Sequence, residues 1–185
     1  MFCVRRNTFE TNSSSTHSLA IPIGDVKYPN AISFRIGEYG WGNSEEDPAD
    51  YFYTALAYTA KDEKDFIEKR NTLERICVSH GIIPVCGDAV FSKYSDGSEY
   101  LDNGYIDHGN ELCSFVDRLL EDEDKLLKFV CGGKVFTGND NDEESSNYIN
   151  REDKFVYCGW GMNKVENPYY DKQLAENFEW YYKEN

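Results

Sequence analysis

The sequence predicts an α+β fold: one domain over residues 1–185, with a small, mostly antiparallel sheet and three to four helices. Three observations carry this. Short apolar runs separated by turn residues fill the first third of the chain. Long apolar stripes at helical spacing fill the middle, and the two kinds segregate instead of alternating regularly. The 15 % aromatic content excludes a disordered chain despite 29 % charged residues, and 185 residues suffice for one core.

Taken in order, "FCVRR", "SLAIPI" and "AISFRIG" each fit a short strand, and "GEYGWGNSEEDP" then breaks the pattern with glycines, acids and a proline. Asp47-Pro48 supplies a capping carboxylate followed by proline at the first helical position, so a buried helix begins there over "ADYFYTALAYTA". A second helix starts near Lys61, with Phe66, Ile67, Leu73, Ile76 and Cys77 on one face. His80 stands in its last turn and Gly81 at the left-handed position beyond it. "IIPVCG" reads as a strand, and residues 92–110 as a loop or hairpin carrying the turn signals "SDG" and "DNG". The clearest helix spans about Glu111 to Val130, interrupted by "EDED" at 121–124, where a bend or break is expected. "KVFTG" and "KFVYCGW" are strands, expected to pair as a hairpin around the polar tip "NDNDEESSN". "YYDKQLAENFEWYY" is expected to be a final aromatic-rich helix covering the sheet.

Net charge is −15, from 34 acids against 19 bases, and acids gather in loops near 40–48, 92–110 and 138–150. Such a surface disfavours direct nucleic-acid binding and anionic membranes, and suits a partner with a basic surface. Six cysteines without a C-x-x-C arrangement, no apolar leader after Met1 and no window of membrane-spanning length predict a cytoplasmic chain in a reducing compartment.

The chemistry-bearing stretch is "RRNTFETNSSSTHSL". Arg5 and Arg6 offer bidentate forks for an anion, and Asn12, Ser13, Ser14, Ser15 and Thr16 offer short donors that let backbone approach a phosphate. His17, with Glu10 and Ser15, supplies the proton-moving and nucleophilic groups that an enzyme would need. Adjacency in sequence does not supply the roughly 3 Å geometry, however. The plainer reading is a connecting loop, since Ser, Thr and Asn stabilise turns by bonding their own backbone.

This stretch resembles the opening of a group of proteins of unassigned activity from bacteriophages, prophages and other mobile elements of Gram-positive bacteria. They begin with an Arg-containing strand followed by Phe-Glu-Thr-Asn-Ser-Ser-Ser-x-His-Ser. Glu10, Asn12, Ser13, Ser14, Ser15 and His17 match that pattern, and the resemblance implies a phage-type origin.

Elsewhere the signals are weaker. Asp140 and Asp142 alternate as calcium ligands do, yet Ser145 occupies the position where the EF-hand requires glycine. Cys77-x-x-His80 with Cys86 lacks the second ligand pair of a structural zinc site. Neither metal nor cofactor is expected. The acids Glu121, Asp122, Glu123 and Asp124, with Asp140, Asp142, Glu143 and Glu144, are candidates for imitating a phosphate track on a basic partner.

Two functional readings follow. In the first, the chain is a non-enzymatic phage or mobile-element protein that binds and inhibits a basic, nucleic-acid-binding host protein, in the manner of an anti-defence factor. In the second, the opening Arg/Ser/His loop holds a phosphorylated ligand or nucleotide, as a small enzyme or binding protein. A structural phage component that self-associates is a third possibility. The absence of a recognised catalytic motif favours the first.

Overall fold

The computed structural model describes residues 15–40, 42–107, 109, 112–139, 147–158 and 163–182. The "FCVRR" segment, Arg5, Arg6, Glu10, Asn12, Ser13 and Ser14 lie outside these residues, as do Asp140, Asp142, Glu143 and Glu144. The architecture is α+β.

Its organising element is β1 (Ser15–Pro22), flanked on one side by β9 (Lys134–Asn139) and on the other by β12 (Phe178–Tyr182). The three-residue β4 (Ser44–Glu46) closes the far side of β9, giving an antiparallel order β12-β1-β9-β4. Both faces of β1 are covered, so the run from His17 to Ile21 is continuously buried instead of alternating. Leu19 and Ile21 point into the main core beneath the helices. On the opposite face Phe136 and Trp180 join Ile149 and Leu174 in a smaller cluster.

The helical layer consists of α1 (Pro48–Tyr58), α2 (Glu63–Ser79), α3 (Leu112–Glu121) and α4 (Glu123–Gly132). The start of α1 is as the sequence predicts: Asp47 Oδ1 accepts from the amides of Ala49 and Asp50, with Pro48 behind it. So is the end of α2, where Gly81 takes φ +76°. The long helix expected over 111–130 is two helices, because Asp122 leaves helical geometry and caps α4 by accepting from the Lys125 amide.

Four two-stranded ladders complete the fold. Those of β2 (Ala31–Phe34) with β5 (Ile83–Cys86) and of β3 (Glu38–Tyr39) with β8 (Tyr105–Ile106) are parallel. Those of β6 (Phe91–Lys93) with β7 (Glu99–Leu101) and of β10 (Phe155–Cys158) with β11 (Asn163–Glu166) are antiparallel.

Two expectations are corrected. "KVFTG" and "KFVYCGW" do not form a hairpin. β9 is buried from Val135 to Gly138 and sits between β1 and β4, whereas β10 pairs with the nearby β11. The C-terminal segment is not one helix: only α5 (Lys172–Asn177) is helical, and "FEWYY" crosses back as β12, in register from Ser18↔Tyr182 to Pro22↔Phe178. Aromatic residues favour a pleated, half-buried surface, and Trp180 finds one by stacking at 6.1 Å on Phe136.

Candidate functional site

Because side chains alternate along a strand, Ser15 and His17 project from the same face of β1, and Thr16 projects from the other. That face meets the first half of α1, where Tyr51 points inward. It also meets the chain just after β8, where Asp107 turns its carbonyl toward the strand. Four groups converge. Ser15 Oγ lies 3.0 Å from His17 Nε2, and both approach the Asp107 carbonyl oxygen, at 3.1 and 2.9 Å. The Tyr51 hydroxyl sits 2.9 Å from His17 Nδ1. Ser15, His17 and Tyr51 are at most 1 % exposed.

The chemistry of the acceptor selects the tautomer. A carbonyl has no hydrogen to give, so its approach to Nε2 requires that nitrogen to carry the proton. In the neutral ring Nδ1 is then a lone pair and accepts from the Tyr51 hydroxyl, while Ser15 donates to the carbonyl. Burial, then Tyr39 next to it, pushes the Tyr51 hydroxyl well above the ordinary tyrosine range, which keeps it a donor. A serine nucleophile needs the opposite arrangement, with Nε2 bare and accepting the serine hydrogen. Ser15 and His17 therefore reach hydrogen-bonding distance as a catalytic pair would, but with the protons placed for a brace. The brace ties β1 to α1 and to the segment after β8.

Gly40 closes this site. It holds φ +105°, and a side chain there would meet Asp107 Cβ at 2.8 Å and Ser15 Oγ at 3.0 Å. The Asp107 amide donates to Tyr39 O, and Tyr105 donates to the Asp107 carboxylate, fixing the carbonyl's aim. Sequence reasoning singles out Ser15 and His17 but not Tyr51, Asp107 or Gly40. Tyr51 reads as one aromatic among several on a buried helix, and Asp107 enters through a backbone atom that no side-chain pattern reports.

The candidate acids divide into two settings. In the "EDED" tract each of three has a partner in its own chain. Asp122 caps α4, Glu123 reaches Arg75 at 3.3 Å, and Asp124 reaches Lys128 at 2.8 Å. Glu121 lines a half-open cleft of about 280 Å³ floored by Phe115, Leu119 and Tyr181 and edged by Arg118 and Lys125. Lysines and arginines interleave with acids across α2, α3 and α4, as in Lys69–Asp117 at 2.9 Å.

The loops flagged near 40–48 and 92–110 differ. Pairing of β3 with β8 brings them side by side, with Glu38 opposite Tyr105 and Tyr39 opposite Ile106. Residues 35–47 and 88–107 together hold nine acids and two bases. Both bases are engaged, Arg35 on buried Asp50 at 2.7 Å and Lys93 on Glu99 at 2.9 Å. Glu38, Glu45, Asp47, Asp88, Asp96 and Asp102 are exposed, and of these Glu45 is offset by Lys134 of β9 at 2.6 Å. β9 reaches this region through Ser44↔Thr137 and a bond from Thr137 Oγ1 to the Gly42 carbonyl at 3.0 Å.

Other reactive groups lie elsewhere. Burial pushes the Cys77 thiol up to about 12 and the Cys86 thiol to about 11, so neither is a thiolate near neutral pH. His80 sits at the end of α2 with Nδ1 3.0 Å from the Ile76 carbonyl. No described helix is long and apolar enough to cross a membrane. Comparison with protein-family models, with curated proteins and with solved structures finds no match.

Proposed function

We propose that this chain is a binding protein that offers an acidic surface to a basic, nucleic-acid-binding host protein and inhibits it, in keeping with the resemblance of its opening residues to phage-type proteins. The observation that carries this reading is the β3–β8 pairing, which sets two acidic segments side by side, with six exposed acids between them and both of their own bases engaged. Carboxylates held on a folded surface imitate the spaced negative charges that a nucleic-acid groove is built to receive. The helical acids support it less, since their charge is offset by adjacent cations.

The test is affinity capture from a bacterial lysate with three baits: wild type, Glu38→Lys/Asp47→Lys/Asp102→Lys, and Glu121→Lys/Asp124→Lys. A stoichiometric nucleic-acid-binding partner should be held by the first and third baits, lost by the second and eluted by salt, because screening shortens from about 10 Å at 0.1 M to about 3 Å at 1 M. Retention by the second bait, or a phosphate compound co-purifying with wild type in place of a protein, overturns the reading.

A further inference from the structure

Parallel ladders ordinarily have both faces covered. The β2–β5 ladder does not. Its register places Ala31 beside Ile83 and Ser33 beside Val85, and all four side chains are exposed, Ile83 by 65 % and Val85 by 56 %. Phe34 and Cys86 lie on the other face, buried or half-buried against the core. A β-branched pair on a bare parallel ribbon is surface that water should not face without a reason.

The position of the ribbon supplies one. Both strands run the same way, so both leave at the same end, and both lead into the acidic surface: β2 through Arg35 to Glu38, and β5 through Gly87 to Asp88. The Gly87 amide donates to Phe34 O at 2.8 Å, holding the two exits together. Asn103 then ties the next segment to them, donating to the Asp88 carbonyl and accepting from the Val90 amide, each at 2.9 Å. The Asp102 amide donates to Val90 O at 2.7 Å. Val90, 47 % exposed, is thus held beside Asp102, two residues beyond Asp88.

We infer that this face is the apolar centre of the partner interface and that it takes a basic amphipathic helix. The helix would lay its aliphatic stripe on Ile83, Val85 and Val90 and its Lys/Arg side chains on the neighbouring acids. This rests on the acidic-surface reading and adds to it the chemistry of the partner. An apolar centre within a charged rim is the usual anatomy of a recognition surface. Four residues of strand extend about 13 Å, the rise of about nine helical residues, enough for anchors at i, i+3 or i+4, and i+7. A second copy of the chain is a poorer occupant, since it brings another −15 to the same place.

The probe is a designed 18-residue helical peptide with leucine on one face and Lys/Arg on the other, compared by calorimetry with a counterpart of equal charge carrying serine for leucine. At 0.15 M salt the leucine peptide should bind wild type about tenfold or more tightly than the serine peptide. Ile83→Ser/Val85→Ser should erase that preference while leaving serine-peptide binding and Tm unchanged, because both side chains face water. Equal binding of the two peptides to wild type overturns this inference and leaves the acidic-surface reading intact. No binding of either at low salt overturns both. A preference that survives the double variant, or a dimer in sedimentation that the double variant dissolves, overturns the assignment of this face to a helix.

Discussion

The node at Ser15 and His17 and the junction at Glu121–Asp124 are both dense in polar side chains, and both stand out in the sequence. Their energetics differ because one is dry and the other wet. At the node, Ser15, His17 and Tyr51 are at most 1 % exposed, so a lost partner leaves a group that water cannot reach. At the junction the carboxylates are open to solvent, and each ion pair exchanges against hydration almost evenly. The contrast teaches that a conspicuous polar run reports nothing until burial is known.

Substitutions can break that comparison. His17→Ala should be the most damaging, costing about 3 kcal/mol in urea unfolding, because it empties a buried site and orphans the Tyr51 hydroxyl. Tyr51→Phe should cost about 1.5 kcal/mol by removing only the donor to Nδ1. A cost under about 0.5 kcal/mol for either means that the node is not holding the fold together.

Glu152 sharpens the comparison as an acid on the dry side. Burial, reinforced by Asp153 against an opposing backbone hydrogen bond, pushes its carboxyl from 4.5 up to about 7. The folded chain therefore keeps this proton between those values while the unfolded chain has released it, so this contribution to stability is lost as pH rises through that window. Glu152→Gln should flatten the loss, worth about 1 kcal/mol at pH 8 given partial exposure. An unchanged pH profile of the urea midpoint refutes it.

Asp122→Ala should cost about 1 kcal/mol through the lost cap of α4, while Ser18→Ala should gain about 1 kcal/mol. The Ser18 hydroxyl is fully buried and has no hydrogen-bond partner among the described residues. Glu123→Gln, which touches only the exposed pair with Arg75, should stay within about 0.5 kcal/mol. Thermal melts of the three, ranked, decide whether exposure orders the effects.

What the sequence made legible was local. Asp47-Pro48, Gly81 and the interruption at "EDED" are decided within a few residues, and each falls where local chemistry places it. Ser15 and His17 share a face by strand periodicity alone. What stayed hidden was pairing at a distance. "FEWYY" carries aromatics that suit a helix face as well as a strand, and only β1, far earlier in the chain, settles the choice. β9 could have met β10, but its two faces are covered by the main core at Val135 and the smaller cluster at Phe136, and in that place its edges meet β1 and β4. The β3–β8 ladder spans two residues on each strand, too short for any periodicity, yet it decides which acids are neighbours.

The central position of β1 also sets a timetable. Leu19 pairs with Val135 on one side and with Tyr181 on the other. At about 5–20 residues per second, a ribosome needs roughly 8–30 s to travel the ~160 residues from Leu19 to its last partner. For the first ~116 of those residues, up to Val135, β1 has neither neighbour made, and β12 follows only ~46 residues later. Loop closure over such separations slows folding even afterwards. A strand so exposed during synthesis presents unpaired edges to other nascent chains until β9 and β12 arrive.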